Sequence, residues 1–352
     1  MYILVAILAF GILIADHELG HFMAAKACGV KVNEFSIGMG PAIIKKQRGE
    51  TLYALRILPL GGYCAMEGED GGSEDARSFG AQKAWKKAVI LVAGAAMNYL
   101  LGLVIILLVY SNAQGFTSNR VVDVIDGFKY AENGIVAGDT VYSIDGHRVY
   151  YAQDFSTYMS RSGGAVDMVV LRDGKKVTLA GYGLRPETYT VGGEEVYRYG
   201  LSFAVTRADA AERVKYSAYT AHNFVRMVFM SLGDLISGRA GIRELSGVVG
   251  IVSTINEVAT ETEAQYSRKD ALIDIAYLCS FIAINLSVMN LLPIPALDGG
   301  RLLFLVIDTV SEKLFKKRLN PKVEQYVNAG GLVLLLGLMA YVMFNDVMKI
   351  IR

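Results

Sequence analysis

The sequence predicts an α-helical polytopic membrane protein of four spans, with a β-hairpin on the cytoplasmic side and a small extracytoplasmic α+β domain. Three observations predict it. The 352 residues are 53% hydrophobic with a mean hydropathy of +0.35, too apolar for a pair of soluble domains. Uncharged runs long enough to cross a bilayer core, which takes roughly 20 helical residues, recur along the chain. Between the second and third of these runs lies a stretch of about 160 residues with strand-like alternation and turn dipeptides. Composition also excludes. Thirty-five Lys+Arg against 34 Asp+Glu leaves +1, so no basic field points to a nucleic-acid partner. Three cysteines without a C-x-x-C pair exclude a disulfide framework and a cysteine zinc knuckle.

The elements follow in order. Residues 1–27 form a first span that is apolar from Tyr2 to Ala15 and then runs into Asp16, His17, Glu18 and His21. No basic residue precedes the apolar run and no small-residue cleavage site follows it, so it does not read as a signal peptide. Residues 28–87 hold a hairpin and loop, with Thr51 to Ile57 alternating and Gly38, Gly40, Pro41 and Gly49 as turn residues. Residues 88–110 are an uncharged second span, 118–203 a soluble domain, and 204–270 amphipathic helices. In the last of these, Tyr216 to Ile236 is apolar enough to suggest a span, but Arg226 at its centre favours a helix lying on the surface. Residues 271–300 are a third span with a broken end, 301–326 a cytoplasmic helix and loop, and 327–346 the fourth span. Lys26, Lys31, Lys83, Lys86 and Lys87 flank the first two spans, and Arg301, Lys313, Lys316, Lys317, Arg318 and Lys322 lie between the last two; both sets mark the cytoplasmic side of a cell membrane.

His17-Glu18-Leu19-Gly20-His21 is an H-E-x-x-H motif. Four residues apart on a helix, the imidazoles project from one face and can bind one zinc ion, while Glu18 is placed to take a proton from the attacking water. Ionisable groups inside a span cost roughly 2.5–3.5 kcal/mol each, so a membrane helix does not carry two of the chain's four histidines beside a Glu without compensation. A catalytic zinc needs a third protein ligand. His147 and His222 fall in the extracytoplasmic part, which leaves Asp298, Asp308 and Asp346 as carboxylate candidates. Asp298 stands out because Pro293 and Pro295 must break the third span just before it. The first and third spans also run in the same direction, so His21 and Asp298 reach the same cytoplasmic leaflet.

The pairing of HELGH in a first span with Asn290-Leu-Leu-Pro-Ile-Pro-Ala-Leu-Asp-Gly-Gly300 in a late one resembles the site-2 protease family of intramembrane zinc metalloproteases, in particular the bacterial regulator-of-sigma-factor type. Phe35 to Pro41 and Leu58 to Tyr63 are similar to that family's Gly-rich segments. The resemblance implies zinc as cofactor, His17, His21 and Asp298 as its ligands, and Glu18 as general base. It implies Asn290 as a polar contact to substrate backbone, with Gly38 and Gly40 as further substrate-binding positions. The sequence departs from the family at Gly94-Ala95, where Gly-Pro is common, and at Gly247-Val-Val-Gly250, where Gly-Pro-Val-Gly is common. Asp16 departs too, standing where an apolar residue usually precedes the motif; it reads as a partner to an imidazole or as a water-facing group.

In the soluble domain, Val121 to Ile125, Thr140 to Ile144 and Val166 to Leu171 read as strands, with turns at Asp145-Gly146 and Asp173-Gly174. Ala131 to Asp139 followed by Ser143 to Val149 resembles a PDZ domain, which binds extended peptide by adding a strand to its sheet edge. That domain is expected to contact a substrate ectodomain or another peptide. The expected activity is hydrolysis of a peptide bond in the transmembrane helix of a protein substrate such as an anti-sigma factor or remnant signal peptide, reached from within membrane lipid. An exposed hairpin edge near the zinc would hold the unwound substrate by main-chain pairing. The competing reading is a non-catalytic membrane scaffold or receptor using its PDZ-like domain; a metal transporter would need a second ligand set on the opposite leaflet.

Overall fold

A computed structural model describes residues 2–69, 72–124, 134–184, 186–191, 194–316 and 320–351. Ile125, Ala131 to Asn133, Lys317 and Arg318, which the sequence reading used, lie outside the described residues. The chain divides into two compact units, Met1–Val109 with Phe224–Arg352, and Tyr110–Asn223. Among the described residues four helices are long and apolar enough to cross a membrane: Tyr2–Cys28, Ala84–Tyr110, Arg268–Asn290 and Lys322–Lys349. The amphipathic helix α4 (Ala210–Ile236) is not one of them.

In the first unit, α1 (Tyr2–Cys28) and α2 (Ala84–Tyr110) approach closely because Gly20 offers no side chain; a Cβ there would strike the Ala93 carbonyl of α2. Such small-residue contacts hold spans together where lipid removes the hydrophobic drive. Lys86 caps the end of α1 by donating to the Cys28 carbonyl at 2.7 Å. One face of α1 (Tyr2, Ala6, Phe10, Leu13) packs with Ile255 and Ala259 of α5 (Val248–Gln265) and with Ala271, Ile275 and Cys279 of α6 (Arg268–Asn290). Helix α6 stops at Asn290, and α7 (Asp298–Phe315) begins after the two prolines. The break is closely packed. Gly299 and Gly300 back onto the backbone of Leu291, Leu292 and Ile294, and Ala296, at φ 72°, donates its N–H to Asn328 of α8 (Pro321–Ile351) at 3.1 Å.

Between α1 and α2, β1 (Val32–Arg48) and β2 (Thr51–Met66) form an antiparallel hairpin that curls back on itself. Phe35 pairs with both Tyr53 and Cys64, and Ile37 with both Leu55 and Gly62, so the first half of β1 lies between the two halves of β2. The curl turns at Gly38 and Gly40, both at φ 85°, a conformation that L side chains rarely adopt. Gly62 to Met66 becomes an edge, with no strand on its outer side among the described residues.

The second unit contains β3 (Gly115–Val124), β4 (Thr140–Ile144), β5 (His147–Arg148), α3 (Ala152–Arg161), β6 (Val166–Arg172), β7 (Lys175–Tyr182), the separate pair β8 (Glu187–Val191) and β9 (Glu194–Arg198), and β10 (Leu201–Arg207). Sheet order is β10-β3-β4-β6-β7, with β5 on β4. Both Asp-Gly turns have positive φ at each residue, 48° and 77° at Asp145-Gly146 and 49° and 75° at Asp173-Gly174, the geometry tight hairpins need. Gly115 pairs with Arg207, so the sheet reaches beyond the expected limits of 118 and 203 at both ends. Asp139, fully buried, accepts from Arg172 at 2.8 and 2.9 Å and from the Val136 N–H at 3.0 Å. Burial alone would raise its carboxyl; the guanidinium and that N–H outweigh burial and hold it below the usual carboxylate range.

Asp346 of α8 has a structural partner. Its Oδ2 accepts from the Gly247 and Gly250 N–H groups at 2.8 and 2.9 Å, capping α5 from a neighbouring helix. A buried N–H left unpaired costs about 1–3 kcal/mol. Asp346→Ala is therefore expected to lower the unfolding temperature in detergent and to speed amide exchange at residues 247–251, with exchange in β3 to β7 unchanged, as read by hydrogen exchange.

Candidate active site

The last turns of α1 carry His17, Glu18 and His21, and the first residue of α7 is Asp298. Asp298 Oδ2 lies 3.1 Å from His17 Nε2 and 3.3 Å from His21 Nε2, and the two Nε2 atoms are 3.1 Å apart. His21 Nδ1 sits 2.8 Å from the Ile90 carbonyl and must donate to it, which leaves the His21 Nε2 lone pair facing the other two groups. Asp298 Oδ2 is buried with no donor aligned on it, although both imidazoles are within ion-pair distance. Lone pairs thus converge where protons are too few to satisfy them. A cation resolves that conflict. Three atoms bound to a tetrahedral zinc at about 2.0–2.1 Å stand roughly 3.3 Å from one another, so the observed spacings fit that ion with little movement. Gly94 of α2 lies against the rings; a Cβ there would fall 2.5 Å from His21 Nε2 and 2.7 Å from His17 Cε1.

These groups line a cavity of about 410 Å³ together with Glu18, Asn290, Leu91, Glu69 and Arg301, and along one side the consecutive residues Tyr63, Cys64, Ala65 and Met66. Glu69 and Arg301 form an ion pair within it. Glu18 lies against the hairpin edge: a Cβ on Gly62 would come 3.5 Å from its Cγ, and the Cys64 backbone N–H faces its carboxylate. Burial beside Glu18 pushes the Cys64 thiol up to about 12, so it stays protonated and inert. A larger groove of about 510 Å³ between α1, α2 and α6 is almost wholly apolar, with Lys269 its one charged residue, and carries no such chemistry.

The sequence candidates fall out as follows. Among the described residues His17, His21 and Asp298 are the one metal-competent cluster. Asp346 caps α5 as described, and Asp308 is not part of the cluster. His147 stacks on Tyr158 and His222 stands edge-on to Tyr150, both in the second unit. Asn290 Nδ2 lies 3.4 Å from His17 Nδ1, which orients that ring. Asp16 bonds neither imidazole; its Oδ2 is buried and unpartnered. Gly38 and Gly40 form the bend of β1 and are not among the cavity-lining residues. The sequence reading missed the approach of Gly94 to the imidazoles, visible there only as a departure from Gly-Pro, and the cavity positions of Glu69 and Arg301, for which no local pattern gives a signal.

Two imidazoles, a carboxylate and a neighbouring glutamate, set in helices of membrane-spanning length, define a metallohydrolase that works within the bilayer. The comparisons with known proteins specify it. The chain belongs to peptidase family M50, the site-2 proteases, whose model matches residues 5–338. A Clostridium perfringens protein named as a candidate zinc metalloprotease is 34% identical over 350 residues, covering 99% of this chain and 98% of the relative. The regulator of sigma-W protease RasP of Bacillus subtilis is 28% identical over 429 aligned positions, covering 98% of this chain and 97% of its own. The protein is an intramembrane zinc metalloprotease with several membrane passes.

Gly94→Ala is expected to push the imidazoles off their positions and weaken zinc retention roughly 10–100-fold, as with other changes behind metal-binding histidines. Chelator competition measures it.

Proposed function

We propose that His17, His21 and Asp298 hold the zinc and that Glu18 is the general base for hydrolysis of a peptide bond in the transmembrane helix of a single-span substrate. The observation that carries this is the convergence of the three donors beside Glu18 in one cavity. Zinc bound there supplies a Lewis acid that polarises the scissile carbonyl and brings the pKa of water toward about 7. Glu18 removes the proton from the attacking water and returns it to the leaving amine. Asn290 and the Ile90 carbonyl fix the two imidazole orientations.

A substrate helix conceals its peptide bonds in internal hydrogen bonds, so cleavage requires local unwinding and new partners for the freed backbone. The outer edge of Gly62 to Met66, which no strand covers among the described residues, supplies them by strand addition, with the substrate backbone taking over from the side chains of Glu18 and Glu69 that the Cys64 and Met66 N–H groups now face; four consecutive edge residues lining the cavity support this. The active site faces the cytoplasmic leaflet, a reading supported by the lysines flanking α1 and α2. The Tyr110–Asn223 unit is a PDZ-like domain on the opposite side that receives an extended peptide, supported by its six-stranded sheet and helix α3. Substrates of the anti-sigma-factor or remnant-signal-peptide class fit such a site.

Two variants test the assignment in the purified full chain. Glu18→Gln should keep zinc near one equivalent and abolish hydrolysis of a single-span peptide. Asp298→Ala should lose zinc and activity together; full zinc retention would move the third ligand elsewhere.

A further inference from the structure

Arg56 is the most heavily used side chain of the hairpin. Its Nε donates to Ser36 Oγ, one Nη to the Gly40 carbonyl, and the other to both Glu34 Oε1 and Tyr63 Oη, each at 2.7 Å. The guanidinium carbon is 5.3 Å from the Tyr63 ring centre, and the Tyr63 hydroxyl in turn bonds Glu34. These partners belong to different passes of the curled sheet. Glu34 and Ser36 are on the central pass, Gly40 is at its bend, and Tyr63 is on the edge that lines the cavity. Arg56 comes from the far side, so the clamp crosses the central strand and fastens both flanks to it.

The surroundings are apolar. Met39, Ile43, Ile44, Ile57 and Leu58, all on the same hairpin, are more than half exposed, a pattern that water would penalise and lipid would accept. Beside such a surface the Arg56–Glu34 pair is weakly screened, and a guanidinium with its donors satisfied is stable there whereas one stripped of a partner is not. The clamp therefore holds where an ordinary surface ion pair would contribute little.

We propose that Arg56, with Glu34 and Tyr63, is a positioning device for substrate: it holds the edge Gly62 to Met66, which no strand covers on its outer side among the described residues, flat against β1 and in line with Glu18. The proposal rests on the strand-addition reading above. Arg56 touches neither the donor cluster nor Glu18, so its loss should affect substrate binding more than the chemical step.

The test uses full-length enzyme in detergent or nanodiscs with a single-span peptide substrate. Arg56→Gln and Glu34→Gln should each raise KM about tenfold or more with kcat within about threefold of the parent and zinc content unchanged. Both should speed amide exchange at residues 62–66, and Arg56→Lys should recover part of the KM. If either Gln variant binds substrate as the parent does, or if kcat falls while KM holds, the clamp is not a positioning device. Should the Gln variants fold poorly, Tyr63→Phe, which removes one hydroxyl, must still raise KM measurably. A second substrate, N-methylated at single amides around the cleavage site, separates the two ideas in the parent enzyme. If no N-methyl position weakens binding, the strand-addition reading fails by itself; if one does while Arg56→Gln leaves KM unchanged, the clamp alone fails.

Discussion

The structure depends on holding two imidazole nitrogens and a carboxylate oxygen within 3.1–3.3 Å of one another among helices that cross a membrane. Left alone, that arrangement is unfavourable: the groups are largely desolvated, and the Asp298 oxygen has no aligned donor. Much of the surrounding architecture serves to maintain it. Gly20 lets α1 and α2 touch, Gly94 leaves room for the imidazoles, and the glycines after Asp298 let α7 fold back on the break that ends α6. On the proposed assignment, a zinc ion held by these three groups would offset the cost through its binding free energy, making metal occupancy part of the stability of this region.

A second constraint arises from the substrate. Opening a helix inside a bilayer leaves backbone groups without water, and each unpaired group there costs several kcal/mol. The enzyme must therefore present backbone of its own at the point of cleavage. In the proposed reading the curled hairpin supplies it without exposing every edge. Its central pass is paired on both sides, while the outer edge of Gly62 to Met66 runs beside Glu18. Membrane proteins tolerate irregular backbone only where it lines a cavity or is covered by protein, and this edge meets that condition.

Much of this was legible in the sequence because the signals are local. The two histidines announce themselves by a spacing of four on one helix, and Asp298 by two prolines that no span can continue through. Both Asp-Gly turns appear as read. What was not legible depends on contacts between distant segments. Alternation in Thr51 to Ile57 announces a strand, yet nothing in it tells that Phe35 pairs with Tyr53 on one side and Cys64 on the other. Arg56 looked like one polar residue in an alternating strand, and its four acceptors come from β1 (Glu34, Ser36 and Gly40) and from the far half of β2 (Tyr63). Asp346 appeared only as a carboxylate in a span, because the N–H groups it satisfies belong to a helix almost a hundred residues earlier.

Helix α8 shows how a span with no group in the site can still govern it. Only 6% of its apolar stretch is buried, against 39% for α2 and for α6, so packing area does not hold it in place. In lipid, apolar area would do little in any case, since the tails solvate leucine as well as another helix does. Its position is set by specific contacts at two points. Toward one end, Asn328 accepts the Ala296 N–H and Gly331 lies against Pro295; toward the other, Asp346 caps α5. The first of these points is the proline break itself, two residues before Asp298. Ala296 has a left-handed backbone conformation that is strained for a residue with a Cβ, and its N–H donates to Asn328 Oδ1 in that conformation. The carboxylate is thus aimed by a helix that contributes nothing to the three-donor cluster, and displacement of α8 at Asn328 would reach the site through Ala296 before it disturbed either histidine.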